Sequence, residues 1–446
     1  MLRDAWALAI ETLSCIELKR LGERLALTNA TKKLKIKDPR AIGLAHRLIT
    51  ETLRKKNYID HILDIVLVPR SIDEIKLNIR AFLELYVHET KFVDSNLDNA
   101  SKIAQMGRRI LGWSRLNDVE EVLGKILSLN PKKVLNCLEE TEKIGLQIYH
   151  PTWFVDYCYK LLGRYEALQF LGKSTQIPPV YVRINTLNAP EQKILKTLNE
   201  ESIILEKVPH LRHAYKLIET KKPLTKTQSF HDGFYYVQDK ASCLASEIAD
   251  PKPGNTILDL CAAPGSKTTY LAQLMENNGT ILSVDYSKRR IGVWKRQTKR
   301  LGTSIVLPIV ADVRNSLPLK FSADVVILDP PCTSTGTFGK TPAAKWRLSK
   351  RSILGMSKMQ SEMIEEGAQY VKEGGFLTYS TCSITVEENE CVIESFLKTN
   401  PEFKLVNPKP QIGLPGLRGL TKCQRLYPHI HKCNGFFVAK LQKEIK

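Results

Sequence analysis

From about residue 236 onward, short apolar runs alternate with amphipathic stretches. That alternation restricts the chain to a largely parallel sheet with helices on both faces. The runs are Thr256–Leu260, Thr280–Asp285, Ile305–Val310, Asp324–Leu328 and Gly375–Tyr379, with a last strand at Gly435–Leu441. Helical spacing of apolar residues predicts helices at Lys267–Met275, Lys288–Leu301, Ser352–Val371 and Val386–Lys398. The expected architecture of 236–446 is α/β and Rossmann-like, with a mostly parallel seven-stranded sheet.

The preceding residues read differently. Residues 1–145 show helical periodicity, as in Ala5-Leu8-Ala9-Leu13 and Ile42-Leu44-Ala45-Leu48-Ile49, and Asp38-Pro39-Arg40 supplies a helix start. Further helices are expected at Ser71–Glu89 and Asp118–Leu129, making an all-α bundle. Residues 146–235 read as a small connecting α+β subdomain, with helices after His150-Pro151 and a strand near Val180–Asn185. At 446 residues the chain exceeds one typical core, in keeping with this division.

Lys and Arg number 66 against 47 Asp and Glu, for a formal net charge of +19. That field attracts polyanions and suits a nucleic-acid substrate. No apolar run reaches the roughly 18–20 residues that span a bilayer. The first twenty residues read as an amphipathic helix rather than a signal peptide, so a cytoplasmic monomer is expected. The ten cysteines include no C-x-x-C pair, and no metal site is expected.

In a doubly wound sheet, ligands bind beyond the carboxyl ends of the strands. There the first strand of this region runs into Cys261-Ala262-Ala263-Pro264-Gly265-Ser266-Lys267. Small residues let the backbone approach a ligand, and the following helix N-terminus favours a carboxylate. The segment matches neither a dinucleotide fingerprint nor a phosphate loop. The next strand ends in Asp285, suited to ribose hydroxyls, and the third leads to Asp312, suited to an adenine amino group. One such acid is often a helix cap. Three successive strand-end features point to a ribose-bearing ligand.

Two further strand ends carry cysteines: Asp329-Pro330-Pro331-Cys332 and Tyr379-Ser380-Thr381-Cys382-Ser383. A free cysteine is ordinarily a small buried hydrophobe. Placement of both on loops beside the same crevice favours chemistry instead. Carbon 5 of cytosine is too weak a nucleophile to take a methyl group unaided, and a thiolate adding at carbon 6 makes it an enamine that can. Asp329 is placed to bond ring nitrogen 3 or the exocyclic amine, and a second thiol suits the release step.

These segments resemble the Sun/Fmu (RsmB-type) family of RNA cytosine-5 methyltransferases. Further matches are Arg183-Ile184-Asn185-Thr186-Leu187, Val237-Gln238-Asp239, Lys345-Trp346-Arg347, Glu387-Glu388-Asn389-Glu390 and Gly435-Phe436-Phe437-Val438-Ala439. Residues 1–145 more loosely resemble the NusB-like RNA-binding domain of some members. The resemblance implies a class I methyltransferase domain using S-adenosyl-L-methionine. It also implies that Cys382 is the nucleophile and that Cys332 assists release. It places the cofactor at Cys261–Lys267 with Asp285, Asp312 and Asp329, and puts Arg290 close by. Ser266 departs from the family's second glycine, which requires a negative φ there or a tolerated left-handed turn.

Basic runs expected to meet RNA are Lys32-Lys33-Lys35-Lys37, Arg54-Lys55-Lys56, Lys288-Arg289-Arg290, Lys295-Arg296 and Lys299-Arg300, each also readable as a solvated face. Trp346 and Tyr379 are candidates to stack on a base, although aromatics in such domains are usually core. Ribosomal RNA is the expected substrate by analogy, with transfer RNA as the alternative. A DNA cytosine-5 methyltransferase is disfavoured by the Ser380-Thr381-Cys382-Ser383 segment. A non-catalytic RNA-binding assembly factor is disfavoured by the intact cysteines and acids.

Overall fold

The structure is a computed structural model, and it describes residues 1–130, 133–135, 138–315, 317 and 320–445. Cys137 lies outside the described residues. The chain divides into two units: 1–177 with 338–347, and 178–337 with 348–446. The expected boundaries at 145 and 235 do not coincide with this two-unit division, which falls at 177. The helices Thr152–Leu162 and Arg164–Ser174 belong with the first unit, and the strands that follow belong with the second.

The first unit is helical. Leu2–Lys19 buries Trp6, Leu8, Ala9 and Leu13 along one face, and Pro39–Arg54 starts where expected, with Asp38 accepting from the Arg40 N–H at 2.9 Å. The expected helix at 71–89 is broken. A 3₁₀ turn at Ile72–Glu74 precedes Leu77–His88, because Ser71 and Glu74 cap each other's backbone.

Residues 338–347 pack as part of this unit's core. Lys345 is fully buried and donates to the carbonyls of Arg54 (3.0 Å) and Tyr149 (2.7 Å). Trp346 Nε1 donates to the Leu53 carbonyl at 2.6 Å, so Trp346 is a packing residue rather than a base-stacking one. The expected basic surface at 54–56 is corrected too. Arg54 is buried and donates to the Thr175 and Gly339 carbonyls, while Lys56 is buried against Glu84 (2.9 Å) and Asp60 (3.0 Å).

The second unit holds two sheets. The smaller contains Tyr181–Ile184 (β1), Ile203–Lys207 (β2), Ala214–Thr220 (β3) and Tyr235–Val237 (β4), antiparallel in the order β2-β3-β1-β4. The larger has Thr256–Leu260 (β5), Thr280–Asp285 (β6), Val306–Val310 (β7), Ala323–Leu328 (β8) and Val371–Thr381 (β9) running parallel in the order β7-β6-β5-β8-β9.

Phe436–Lys443 (β13) pairs antiparallel with β9, and the short strands Phe403–Leu405 (β10), Leu414–Pro415 (β11) and Gln424–Leu426 (β12) extend that edge. The sheet thus carries nine strands rather than seven. The additions are two to three residues long, too short for periodicity to register.

Register determines what meets at the strand ends. Leu260 pairs with Val284 on one side and Leu328 on the other, and Leu328 pairs with Tyr379. Cys261, Asp285, Asp329 and Ser380, each one residue further on, therefore stand level along the carboxyl edge. The order reverses direction at β5, where the following connections leave the sheet on opposite faces and open a crevice.

Candidate active site

The loop after β5 turns sharply before the helix Ser266–Leu274. Cys261 has φ 67° and Gly265 has φ 107°; at Gly265 an added Cβ would lie 3.2 Å from Trp294 Cδ1. The glycine requirement thus falls at 265. Ser266 is the first helical residue with a negative φ, so its departure from the family pattern is unstrained. The first-turn N–H groups of Ser266, Lys267 and Thr268 have no intrahelical partners and face the loop, an arrangement suited to a carboxylate.

Ala262 and Ala263 are buried, while Pro264 is exposed. Burial pushes the Cys261 thiol well above its ordinary range, which fits a packing role. Asp285 is buried at the end of β6. Its carboxylate accepts from the Ala263 N–H (3.1 Å) and the Ser287 N–H (3.0 Å). Arg290, on the helix Lys288–Arg300, reaches back to Asp285 (3.3 Å) and donates to the Ala263 carbonyl. It holds the loop against the acid instead of lying free in solvent.

Asp312 is partly exposed and bound by Arg314 Nη2 at 2.6 Å, a pairing that lowers its carboxyl. A carboxylate has lone pairs to spare, so that pairing leaves it able to accept from an amino group as well.

Lys267 points from the loop to the other strands. Its ammonium is ion-paired with Asp329, whose other oxygen accepts from Ser380 Oγ at 3.2 Å. Asp259, inside β5, is buried and accepts from Thr268 Oγ1 at 2.5 Å. Burial raises its carboxyl to about 7. This acid supports the loop's helix, and nothing in the spacing separates its role from that of Asp285.

The two cysteines meet. Cys332 follows β8 and Cys382 follows β9, and their Sγ atoms are 3.2 Å apart. Ser334 Oγ lies 3.5 Å from Cys382 Sγ and 3.9 Å from Cys332 Sγ. The hydrogen bond from Cys332 holds the Cys382 thiol below its ordinary range against the opposing effect of burial, with help from Ser334 and the Lys267 charge. The same bond, with burial, pushes Cys332 well above its ordinary range.

Tyr379 is fully buried, and its hydroxyl donates to the Glu388 carbonyl at 2.6 Å, so it does not stack on a base. The expected helix from 386 begins at Glu390 instead. Glu388 and Asn389 direct their side chains into the Cys382 loop, as in Asn389 Nδ2 to the Ser383 carbonyl at 3.0 Å. Ser334 and Glu388 are the site residues that motif reading did not single out. The first lies beyond the Asp-Pro-Pro-Cys segment, and the second falls within the Glu387-Glu388-Asn389-Glu390 match without a role of its own.

Comparisons with known proteins show the family. A family model described as 16S rRNA methyltransferase RsmB/F matches residues 246–442, and one described as the N-terminal domain of 16S rRNA methyltransferase RsmF matches 151–240. The probable ribosomal RNA small subunit methyltransferase B of Bacillus subtilis (strain 168) is 27% identical, covering 98% of this chain and 98% of its own. The ribosomal RNA small subunit methyltransferase B of Yersinia pseudotuberculosis serotype O:1b is 32% identical over 72% of this chain and 73% of its own. Among solved structures, the crystal structure of PH0851 is 31% identical with a TM-score of 0.87, covering 99% of both chains. With its loop after β5, its paired strand-end thiols and these matches, the chain belongs to the RsmB/F family of S-adenosylmethionine-dependent RNA cytosine-5 methyltransferases.

Proposed function

We propose that the protein methylates one cytosine of small-subunit ribosomal RNA through a covalent Cys382–cytosine intermediate. The observation that carries this reading is the 3.2 Å contact between Cys382 and Cys332, with Asp329 on the adjoining strand end. The end-to-end match to a relative named for small-subunit ribosomal RNA supports that substrate over transfer RNA.

The residues of the β5 loop fit S-adenosylmethionine: helix N–H groups suit its carboxylate, Asp285 its ribose and Asp312 its adenine. Bound there, it supplies a sulfonium methyl group. The Cys382 thiolate adds to carbon 6 of a base that has been taken out of its stack. Asp329, held by Lys267 and Ser380, bonds the base edge and stabilises charge as carbon 5 becomes nucleophilic. After methyl transfer the carbon 5 proton leaves to water. The carbon–sulfur bond then breaks with its electron pair returning to Cys382, and the Cys332 S–H receives the departing sulfur as a hydrogen-bond donor.

The helical unit is proposed to hold RNA in the manner of a NusB-like domain. One cavity in it, of about 930 Å³, is lined by Arg47, Lys55, His88 and Phe92 among others, with Lys55 Nζ 5.0 Å from the Phe92 ring centre. The proposed setting is the cytoplasm, with one chain acting on one RNA. No described helix is long and apolar enough to cross a membrane.

RNA containing 5-azacytosine tests the chemistry. The wild type and Cys332→Ser should form a denaturation-resistant adduct, and Cys382→Ser should form none. Bisulfite sequencing of total RNA with and without the gene tests the substrate. An unchanged ribosomal map would overturn that part.

A further inference from the structure

Glu388 has no solvent exposure, and its carboxylate accepts from both cysteine loops at once. Oε1 accepts from the Thr333 N–H at 2.8 Å and from Gln360 Nε2 at 3.1 Å. Oε2 accepts from Ser383 Oγ at 2.7 Å, from Thr385 Oγ1 at 2.8 Å and from Thr333 Oγ1. Thr333 directly follows Cys332, and Ser383 directly follows Cys382. Gln360 extends the network by donating to the Pro331 carbonyl at 2.8 Å, one residue before Cys332.

A buried carboxylate is costly to desolvate unless its lone pairs are satisfied, and here five donors satisfy them. A carboxylate also suits the task, because its two oxygens offer about four acceptor sites and no donor. The groups facing it are hydroxyls, a backbone N–H and an amide NH₂. A glutamine in its place would turn an NH₂ toward some of those donors. The two loops follow adjacent strands, but β-pairing ends at Thr381 and Leu328, so strand register alone does not hold the thiols together beyond that point.

We infer that Glu388 is a positioning residue for the methyl-transfer reaction: it ties Thr333 to Ser383 and so keeps the Cys332 thiol in reach of Cys382. The inference rests on the reading of Cys382 as nucleophile and Cys332 as the release thiol. Adduct formation needs Cys382 alone, whereas release needs both, so loosening the tie acts mainly on release. Misplacement of a reacting group by about 1 Å costs on the order of 10²-fold in rate.

The test uses the full chain, S-adenosylmethionine and an unmodified small-subunit ribosomal RNA transcript. For Glu388→Gln, turnover is expected to fall by about 10- to 100-fold, the range seen when supporting hydrogen bonds around a reactive centre are lost. S-adenosylmethionine binding should be unchanged. A protein–RNA complex stable to denaturation should accumulate during methylation, as with Cys332→Ala. Glu388→Asp, which keeps the charge on a shorter arm, should restore part of the turnover. A purely structural role would lower stability without trapping the adduct.

Thr333→Val combined with Gln360→Leu removes the Thr333 Oγ1 and Gln360 Nε2 bonds on the Cys332 side, leaving Glu388 and the Thr333 N–H bond in place. It should also accumulate adduct, and it decides the matter if Glu388→Gln does not fold. Wild-type turnover in a folded Glu388→Gln, or a Thr333→Val/Gln360→Leu enzyme that releases RNA as the wild type does, overturns the inference. Failure of the underlying reading looks different: Cys382→Ser would keep methylating, or the wild type would form no adduct on 5-azacytosine RNA.

Discussion

Cys332 Sγ and Cys382 Sγ lie 3.2 Å apart although fifty residues separate them in sequence. β8 and β9 run parallel with Leu328 opposite Tyr379, so the two chains leave the sheet side by side. The contact makes one proton a shared property of the pair. Cys382 has the added support of Ser334 and Lys267, and in the proposed mechanism this asymmetry lets it attack while Cys332 keeps its proton.

The pH dependence follows from that asymmetry. The proposed mechanism requires Cys382 ionised and Cys332 protonated, so the rate should rise through a Cys382 titration below the ordinary thiol range. It should fall only above that range. Cys332→Ala removes the donor to Cys382, and the acid limb should then move to higher pH. Rates of Cys382 alkylation against pH check this, and an unmoved limb would show that Cys332 does not stabilise the thiolate.

Asp329→Asn should lower kcat by about 10²- to 10⁴-fold, the usual contribution of a positioned acid–base group. Asp329 is ion-paired with Lys267 and accepts from Ser380 Oγ, and the proposed mechanism uses it at the base edge. Single-turnover methylation with a parallel binding titration separates chemistry from cofactor binding. Loss of S-adenosylmethionine binding at unchanged chemistry would contradict the assignment.

Gly265→Ala forces a side chain to φ 107° and within 3.2 Å of Trp294. The left-handed conformation alone costs roughly 1–2 kcal/mol for a residue with a Cβ. The loop should relax away from its present course, weakening S-adenosylmethionine binding by about tenfold per 1.4 kcal/mol lost. Calorimetric titration measures it directly.

Arg425→Met should destabilise the second unit by about 3–5 kcal/mol, because it leaves Glu390 charged and unpaired at a buried position. Arg425 Nε bonds Glu390 at 2.6 Å, and its Nη1 donates to the Ile384 carbonyl at 2.8 Å, two residues past Cys382. Denaturant melts of the single variant and of Arg425→Met with Glu390→Gln check this. The double variant should recover part of the loss.

The sequence alone was enough to read the parallel sheet, since its five parallel strands are apolar runs, four of them largely buried, with helices between most of them. It also placed the loop after β5 and both cysteines at strand ends, because strand ends follow from where those runs stop. Other assignments required the tertiary structure. Arg54, Lys56, Trp346 and Tyr379 have the composition of an RNA surface but are buried, and burial is set by packing partners far away in sequence. Glu388 looked like one acid in a run of three until folding turned it inward between Thr333 and Ser383.

The same division applies to Cys382 and Cys332. The residues around each thiol placed it on a loop beside a ligand crevice, because local pattern determines where a strand ends. Which thiol ionises depends on the 3.2 Å contact between them and on Ser334 and Lys267 nearby. Those are electrostatic and hydrogen-bonding relations between segments remote in sequence, and only the register of β5, β8 and β9 brings them together.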